Sequence, residues 1–290
     1  MRIGPHLSIA KGFPAAGKAA VSIGADTFQF FSRNPRGGSV RKLGADEIAD
    51  WLALKEEHGL GPTVCHIPYT VNMAAPVQKT WDFAVMVLEN DLPRAHSVGC
   101  PFVVSHPGSH TANSDLDRGL ERIAEAIDRI RPLMDDLHHR HHDAPYLCLE
   151  TMSGQGSEIG WRPEHFARLF TRLEHPAWLG LCVDSCHVFA AGFDLRDRGE
   201  VERLATEIDH AVGIDRVKVV HVNDSKTPHG SRSDRHACIG AGEIGLDGLI
   251  NFITHPVFRA QPILLETPVD NMPEDWGGEI TVLKEAAAAR

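Results

Sequence analysis

The sequence is short of positive charge. Its 29 lysines and arginines face 39 aspartates and glutamates, for a formal net charge of −10. That balance excludes a partner held by general attraction to a basic surface, including nucleic acid bound in that way. It leaves room for a locally positive cleft, because bound cations enter no residue count. Long apolar runs are also missing. No stretch approaches 18 apolar residues, and the opening MRIGPHLSIAKGF has neither a basic lead nor an uninterrupted apolar core. The expectation is a protein that is neither secreted nor membrane-spanning. The six cysteines, Cys65, Cys100, Cys148, Cys182, Cys186 and Cys238, contain no CxxC pair and sit mostly in apolar, strand-like runs. Reduced, buried thiols in a cytoplasmic protein are the simplest account. No GxGxxG follows a strand, so a nucleotide cofactor has little support.

What is present is a recurrent grammar, in which a short apolar run ends in an acid or an imidazole. TVCH ends at His66, FVVSH at His106, YLCLE at Glu150, GLCVD at Asp184, VKVVH at His221 and ILLE at Glu266. One such ending is ordinary. In GLCVDSCHVFAAGFDLR, a core strand leaving into a helix capped by Asp184, with His187 half-buried at the surface, is an equally good reading of that segment alone. Six such endings point to a common face.

Helical segments separate these runs. They include FPAAGKAAVSIG, residues 45–58, 77–97, 114–138, RPEHFARLFTRL, 197–212 and 274–289. Pro132 is expected to kink the fourth of these or end its regular part. With strands ending near His6 and at Phe31 added, eight strands alternate with helices along 290 residues. The pattern predicts one (β/α)8 TIM barrel of the α/β class, a single domain over residues 1–290. That fold places chemistry on the loops at the carboxyl ends of its strands, where the candidate ligands accumulate.

Several loops carry further signals. After Phe31, SRNPRGGSVRKL forbids a helix and hangs its cations over the same face. Gly154 and Gly156 are expected to let the backbone pass close to whatever Glu150 binds. The cluster HHRHHD at 138–143 has the composition of a metal site. It lies between a helix and the next strand, so it belongs to the opposite face of a barrel. In DRH, Asp234 and His236 are two apart, so an extended backbone points both the same way. The candidate set is then His66, His106, Glu150, Asp184, His187, His221, Asp234, His236 and Glu266. Imidazole mixed with carboxylate suits zinc, manganese or iron better than calcium or magnesium. Nine donors are too many for one tetrahedral zinc and fit a cluster of two or three ions.

HIPYTVN, SHPGSH, LETMSGQGS, GLCVDSCHVFAAGFDLR, HVNDSK, SRSDRH and LLET, in this order and spacing, resemble the motifs of the endonuclease IV family of abasic-site endonucleases. The resemblance runs from GPHLS at residue 4 to LLET at residue 267. It implies a trinuclear zinc site, with Mn2+ or Fe2+ as alternatives at individual positions. His66 and His106 would hold one ion, and Asp184, His221 and Glu266 a second, with Glu150 bridging the two. His187, Asp234 and His236 would hold the third. Three Zn2+ against these four carboxylates leave the bare site formally at +2, attractive to phosphate despite the acidic chain.

The implied reaction is hydrolysis of the phosphodiester 5′ to an abasic site in duplex DNA, leaving a 3′-hydroxyl and a 5′-deoxyribose phosphate. Removal of 3′-blocking groups is implied as a secondary activity. Glu150 and Glu266 would be the catalytic carboxylates, with Glu266 orienting the nucleophile. Arg36 and Tyr69 would contact the distorted duplex, and the chain is expected to act as a monomer. Two departures from the family pattern are Gly37-Gly38, where many relatives have an aromatic residue, and Ala237 after DRH. A sugar isomerase or epimerase on a similar barrel is the main rival reading, and a non-catalytic damage-binding protein is the second.

Overall fold

The computed structural model describes residues 1–35, 38–111 and 115–290. Eight strands build one parallel sheet: β1 (Arg2–Pro5), β2 (Gln29–Phe31), β3 (Val64–His66), β4 (Phe102–Ser105), β5 (Tyr146–Glu150), β6 (Leu179–Asp184), β7 (Val217–His221) and β8 (Pro262–Leu265). Each strand pairs with its sequence neighbours, and β8 pairs with β1. The sheet closes between β1 and β2 through a parallel bridge from His6 to Gln29 and a Leu7 N–H donated to the Gln29 carbonyl at 2.8 Å. Closure brings the backbones very near one another. A Cβ on Gly4 would lie 1.7 Å from the Thr27 carbonyl oxygen, so only glycine fits there.

The strands read as continuous apolar runs because parallel strands in a barrel are covered on both faces. Inside the barrel, Val64, Val104, Cys148, Cys182, Val219 and Leu264 form a separate buried apolar layer. Each stands two residues before one of the six strand-end candidates. Strand side chains repeat every second residue on one face, so the polar ends sit directly above this layer, about 6.6 Å further along the strands. A dry floor beneath a polar rim follows from the sequence alternation alone.

The helices α1 (Phe13–Ser22), α2 (Ala45–Glu57), α3 (Gln78–Ser97), α4 (Leu116–Arg140), α5 (Pro163–Arg172), α6 (Ser185–Ala191), α7 (Arg198–Val212), α8 (Gly245–Thr254), α9 (Pro256–Arg259) and α10 (Glu274–Ala288) follow the strands. Several bear on the sequence expectation. First, α4 continues through Pro132, capped at its start by Asp115, which accepts from Arg118 N–H at 2.8 Å. An interior proline costs about 3 kcal/mol. The buried row Ile123, Ile127, Ile130, Met134 and Leu137 outweighs it, at about 1.5–3 kcal/mol per fully buried large side chain. Second, α6 begins immediately after β6, with Asp184 as its cap, as one of the two readings of that segment had it. Third, α8 and α9 follow the polar stretch after β7 and were not expected.

The histidine-rich segment 138–143 lies at the end of α4, before β5. It is therefore at the amino end of the barrel, away from the strand-end candidates. There Asp143 Oδ1 meets His96 Nε2 at 3.1 Å. All six cysteines are free thiols, five of them buried, and burial pushes the Cys100 thiol up to about 11. No helix among the described residues is long and apolar enough to cross a membrane.

Candidate metal centre

The nine candidate residues converge at the carboxyl end of the barrel, and Glu150 stands at their centre. Its Oε2 lies 3.2 Å from both His66 Nε2 and His106 Nε2. Its Oε1 lies 3.0 Å from His221 Nδ1, which is in turn 3.3 Å from Glu266 Oε2 and 3.8 Å from Asp184 Oδ2. A third group forms beside these, where Asp234 Oδ1 stands 3.4 Å from His187 Nε2 and 3.3 Å from His236 Nε2. Asp184 Oδ2, 4.0 Å from His236 Nε2, links this group to the second.

Three observations bear on whether these residues fit metal ions. The first is spacing: a tetrahedral zinc with bonds of about 2.0–2.1 Å separates its ligand atoms by roughly 3.3 Å, the separation that recurs in all three groups. The second is orphaned atoms. His187 Nε2 and His236 Nε2 are buried and have no hydrogen-bond partner among the described residues. The third is orientation, because a metal-binding imidazole usually donates its other N–H to an oxygen that fixes its tautomer. His66 Nδ1–H donates to the Ile67 carbonyl at 2.6 Å and His187 Nδ1–H to the Thr151 carbonyl at 2.8 Å. His221 Nε2–H donates to Gln29 Oε1 at 2.9 Å, and His236 Nδ1 faces the Glu266 carbonyl at 3.4 Å. Each of these four rings therefore turns its other nitrogen toward the carboxylates. The residues fit a cluster of ions such as zinc.

The protein's own field already polarises the site. Burial disfavours a charged His221 ring, but Glu266, Glu150 and Asp184 reverse this and raise it to about 9. His187 is raised in the same way, against its burial, by Asp184, Asp234 and Glu150. Burial acts to raise the carboxyl of Asp234, yet His187 and His236 hold it at about 2. Burial also works against ionised Glu150 and Glu266, and the surrounding imidazoles keep both well below the usual carboxylate range. Anionic donors facing protonated imidazoles are poised to exchange those protons for metal cations.

For Asp184 the two sequence readings combine. Its Oδ1 accepts from His187 N–H at 2.8 Å and caps α6, while Oδ2 faces the cluster and accepts from Asn223 Nδ2 at 2.7 Å. His187, however, is buried at 2% exposure rather than half-buried at the surface. Tyr69 is 53% exposed beside this face, its ring 6.3 Å from Phe31. Arg36 and Gly37 lie outside the described residues. Arg33, earlier in the same segment, makes a buried pair with Asp91 at 2.8 and 2.5 Å. A Cβ on Gly154 would lie 3.0 Å from the Trp161 ring, and its φ of +82° is the left-handed conformation that glycine tolerates.

Sequence reasoning missed three residues. Gln29, fully buried, donates from Nε2 to Glu266 Oε1 at 2.7 Å and to His6 Nδ1 at 3.0 Å while its oxygen holds His221. His6 brings a sixth imidazole, 4.2 Å from Phe31 between ring centres. Asn223 accepts the Glu266 N–H at 2.8 Å and so joins the ends of β7 and β8. An amide in the middle of TFQFF, a run otherwise suited to burial, was the available signal.

Comparison with known proteins agrees with this geometry. Residues 18–286 match a family model described as the xylose isomerase-like TIM barrel. A protein named probable endonuclease 4 from Heliobacterium modesticaldum is 44% identical over 286 residues, covering 99% of each chain. The crystal structure of endonuclease IV from Thermus thermophilus superposes with a TM-score of 0.83 at 34% identity, over 98% of this chain and 100% of that one. A D-tagatose 3-epimerase-like protein superposes with a TM-score of 0.73 at 17% identity over 100% and 99% of the two chains, a likeness of fold alone. Taken with the barrel and its rim of imidazoles and carboxylates, the full-length identity places the chain in the endonuclease IV family.

Proposed function

We propose that this protein is a DNA-repair hydrolase that cuts the phosphodiester 5′ to an abasic site in duplex DNA, leaving a 3′-hydroxyl and a 5′-deoxyribose phosphate. Trimming of blocked 3′ ends is the secondary activity of the same site. The observation that carries the reading is a rim of three adjoining donor groups, two of them meeting at Glu150 and the third joined to them through Asp184, in a chain that aligns end to end with proteins named endonuclease 4. His66 and His106 would hold one zinc, Asp184, His221 and Glu266 a second, with Glu150 between them, and His187, Asp234 and His236 the third. Bound there, such ions supply a water ionised near neutral pH and positive charge for the phosphoryl oxygens and the departing 3′ oxygen.

The chain's own residues do the rest. Glu150 and Asp184 are fully buried, so they serve as fixed negative charge. Glu266, at 18% side-chain exposure, is the carboxylate of the inner groups that reaches outward, and its assigned work is to orient the attacking water. Gln29 keeps one Glu266 oxygen in place and leaves the other facing His221. Tyr69 and Arg36 would pack against the distorted duplex, where an unpaired nucleotide is displaced cheaply.

The test is cleavage of an end-labelled duplex carrying one tetrahydrofuran analogue, beside an undamaged control, with metal-analysed protein. Cleavage at the analogue to a 3′-hydroxyl, with about three metals bound, is expected. Folded, fully metallated protein that leaves the analogue intact but turns over a sugar would establish the epimerase reading instead. Tight binding without cleavage would establish a damage-binding role.

A further inference from the structure

Trp161 carries two stacked guanidinium groups. Arg162 lies 4.2 Å and Arg232 4.0 Å from the centre of its ring system. Both arginines are exposed, and neither has a carboxylate within ion-pair reach among the described residues. Other exposed arginines of this acidic chain are answered by an acid, as Arg118 is by Glu121 and Arg203 by Glu207.

The arrangement is built rather than incidental. Trp161 and Arg162 close the loop that leaves Glu150, and Arg232 sits two residues before Asp234 on the loop after β7. Gln155 ties the two loops together, its Oε1 accepting from Asp234 N–H at 3.3 Å and from Arg235 Nη1 at 3.4 Å. The Trp161 ring fills the space left by Gly154 and meets the buried His165 ring edge-on at 5.7 Å. Arg232 adopts a φ of +51°, a left-handed conformation uncommon for a residue other than glycine. Two main-chain bonds to α6 hold it there, from Arg232 N–H to the Ala190 carbonyl at 3.0 Å and from Gly230 N–H to the Phe189 carbonyl at 3.1 Å.

A guanidinium resting its flat face on an aromatic ring keeps its N–H fork free at the edge, and that fork matches the oxygens of a phosphate. Two forks on one ring, next to the His187, Asp234 and His236 group, suit an anion that repeats along a chain. We propose that Arg162 and Arg232, displayed on Trp161, form a clamp for the sugar–phosphate backbone of the DNA strand that passes this side of the metal centre. The inference rests on the DNA-cleaving reading and adds to it the surface that sets where the strand lies. The two arginines are positioning residues; they do not touch the reacting atoms.

The experiment compares the wild-type protein with Arg162→Ala, Arg232→Ala, Arg232→Lys and Trp161→Leu. Turnover of the tetrahydrofuran duplex is measured at several salt concentrations, with metal content determined for each preparation. Each arginine-to-alanine change is expected to raise KM, leave kcat and metal content unchanged, and lower the salt slope of kcat/KM by about 0.9, one phosphate contact. Between 50 and 200 mM salt, the wild-type advantage over each variant then shrinks about 3.5-fold. Arg232→Lys should keep the slope, and Trp161→Leu should raise KM with both charges still present. Unchanged KM and slope in both alanine variants would overturn the clamp, as would a fall in kcat alone. If wild-type protein cuts nothing, the nuclease reading fails separately. Binding to an undamaged duplex then judges the clamp, with equal salt slopes counting against it and a reduced slope in the variants for it.

Discussion

Gln29→Met is the sharpest probe of the metal centre, because it changes no candidate ligand. Gln29 is fully buried, and its side chain fixes His221 through Oε1 at 2.9 Å and Glu266 through Nε2 at 2.7 Å. Methionine has nearly the same length and volume, so the space stays filled, and the cost in stability is that of the polar partners left behind, about 1–3 kcal/mol each. What is lost is the acceptor that holds His221 in the Nε2–H form and the donor that steadies Glu266. Removing such a partner lowers metal affinity by about 10–100-fold, or about 1.4–2.7 kcal/mol.

The loss should be selective. His187 and His236 are oriented by the Thr151 and Glu266 carbonyls, so the group they form with Asp234 keeps its affinity. Competition with a graded series of chelators on zinc-loaded protein, read as metal retained per chain, resolves the two classes. A variant that folds normally and holds all its metal as tightly as wild type would refute the argument. So would an equal weakening of every ion.

Three further outcomes follow from the same geometry. Glu266→Gln should fold and lose cleavage by about 10²–10⁴-fold, as expected for a group that handles water's proton; near-normal turnover of the metal-replete variant would remove Glu266 from that role. With His221 raised to about 9 and His187 shifted in the same direction, metal-free protein at pH 7 carries a proton on His221 that metal must displace. Zinc loading should then release it, with affinity rising with pH until about 9, and calorimetry in buffers of different ionisation enthalpy would contradict this if the apparent heat did not change. His165 is held down to about 4 by burial, and its Nδ1 accepts the Gly160 N–H at 3.0 Å. Since its folded value lies below the unfolded 6.5, its neutral form is favoured by folding. Stability from this site is complete above pH 6.5 and falls toward pH 4 by up to about 3 kcal/mol. Denaturant titrations should show a flatter pH dependence for His165→Asn, and identical profiles would argue against the assignment.

The legible parts of the molecule were those where two physical demands fall on one residue type. A strand buried on both faces must be apolar, so His66, Glu150 or His221 at its end stands out sharply. The apolar floor two residues earlier obeys the same alternation. Gln29 and Asn223 were opaque because an amide makes neither demand visible; its work lies in contacts with residues far along the chain, such as Glu266 and Asp184. Pro132 does not end α4, because a local penalty is set against the buried row from Ile123 to Leu137, spread over about four turns. The Trp161 ring packed over Gly154 was hidden because a glycine shows its conformational freedom and not the neighbour that uses it.

Asp184 shows how narrowly such a position can drift. One of its oxygens starts a helix and the other faces the cluster. Asparagine would keep the helix start, since its amide oxygen caps as well as a carboxylate, but it would remove a negative charge from beneath the cations. Glutamate would preserve the charge but, being one methylene longer, would misplace the capping oxygen and with it the ring of His187 three residues on. Of the two nearest chemical relatives of aspartate, each fails for a different reason, so a folding requirement and a chemical one together leave this site almost no neighbouring sequence to explore.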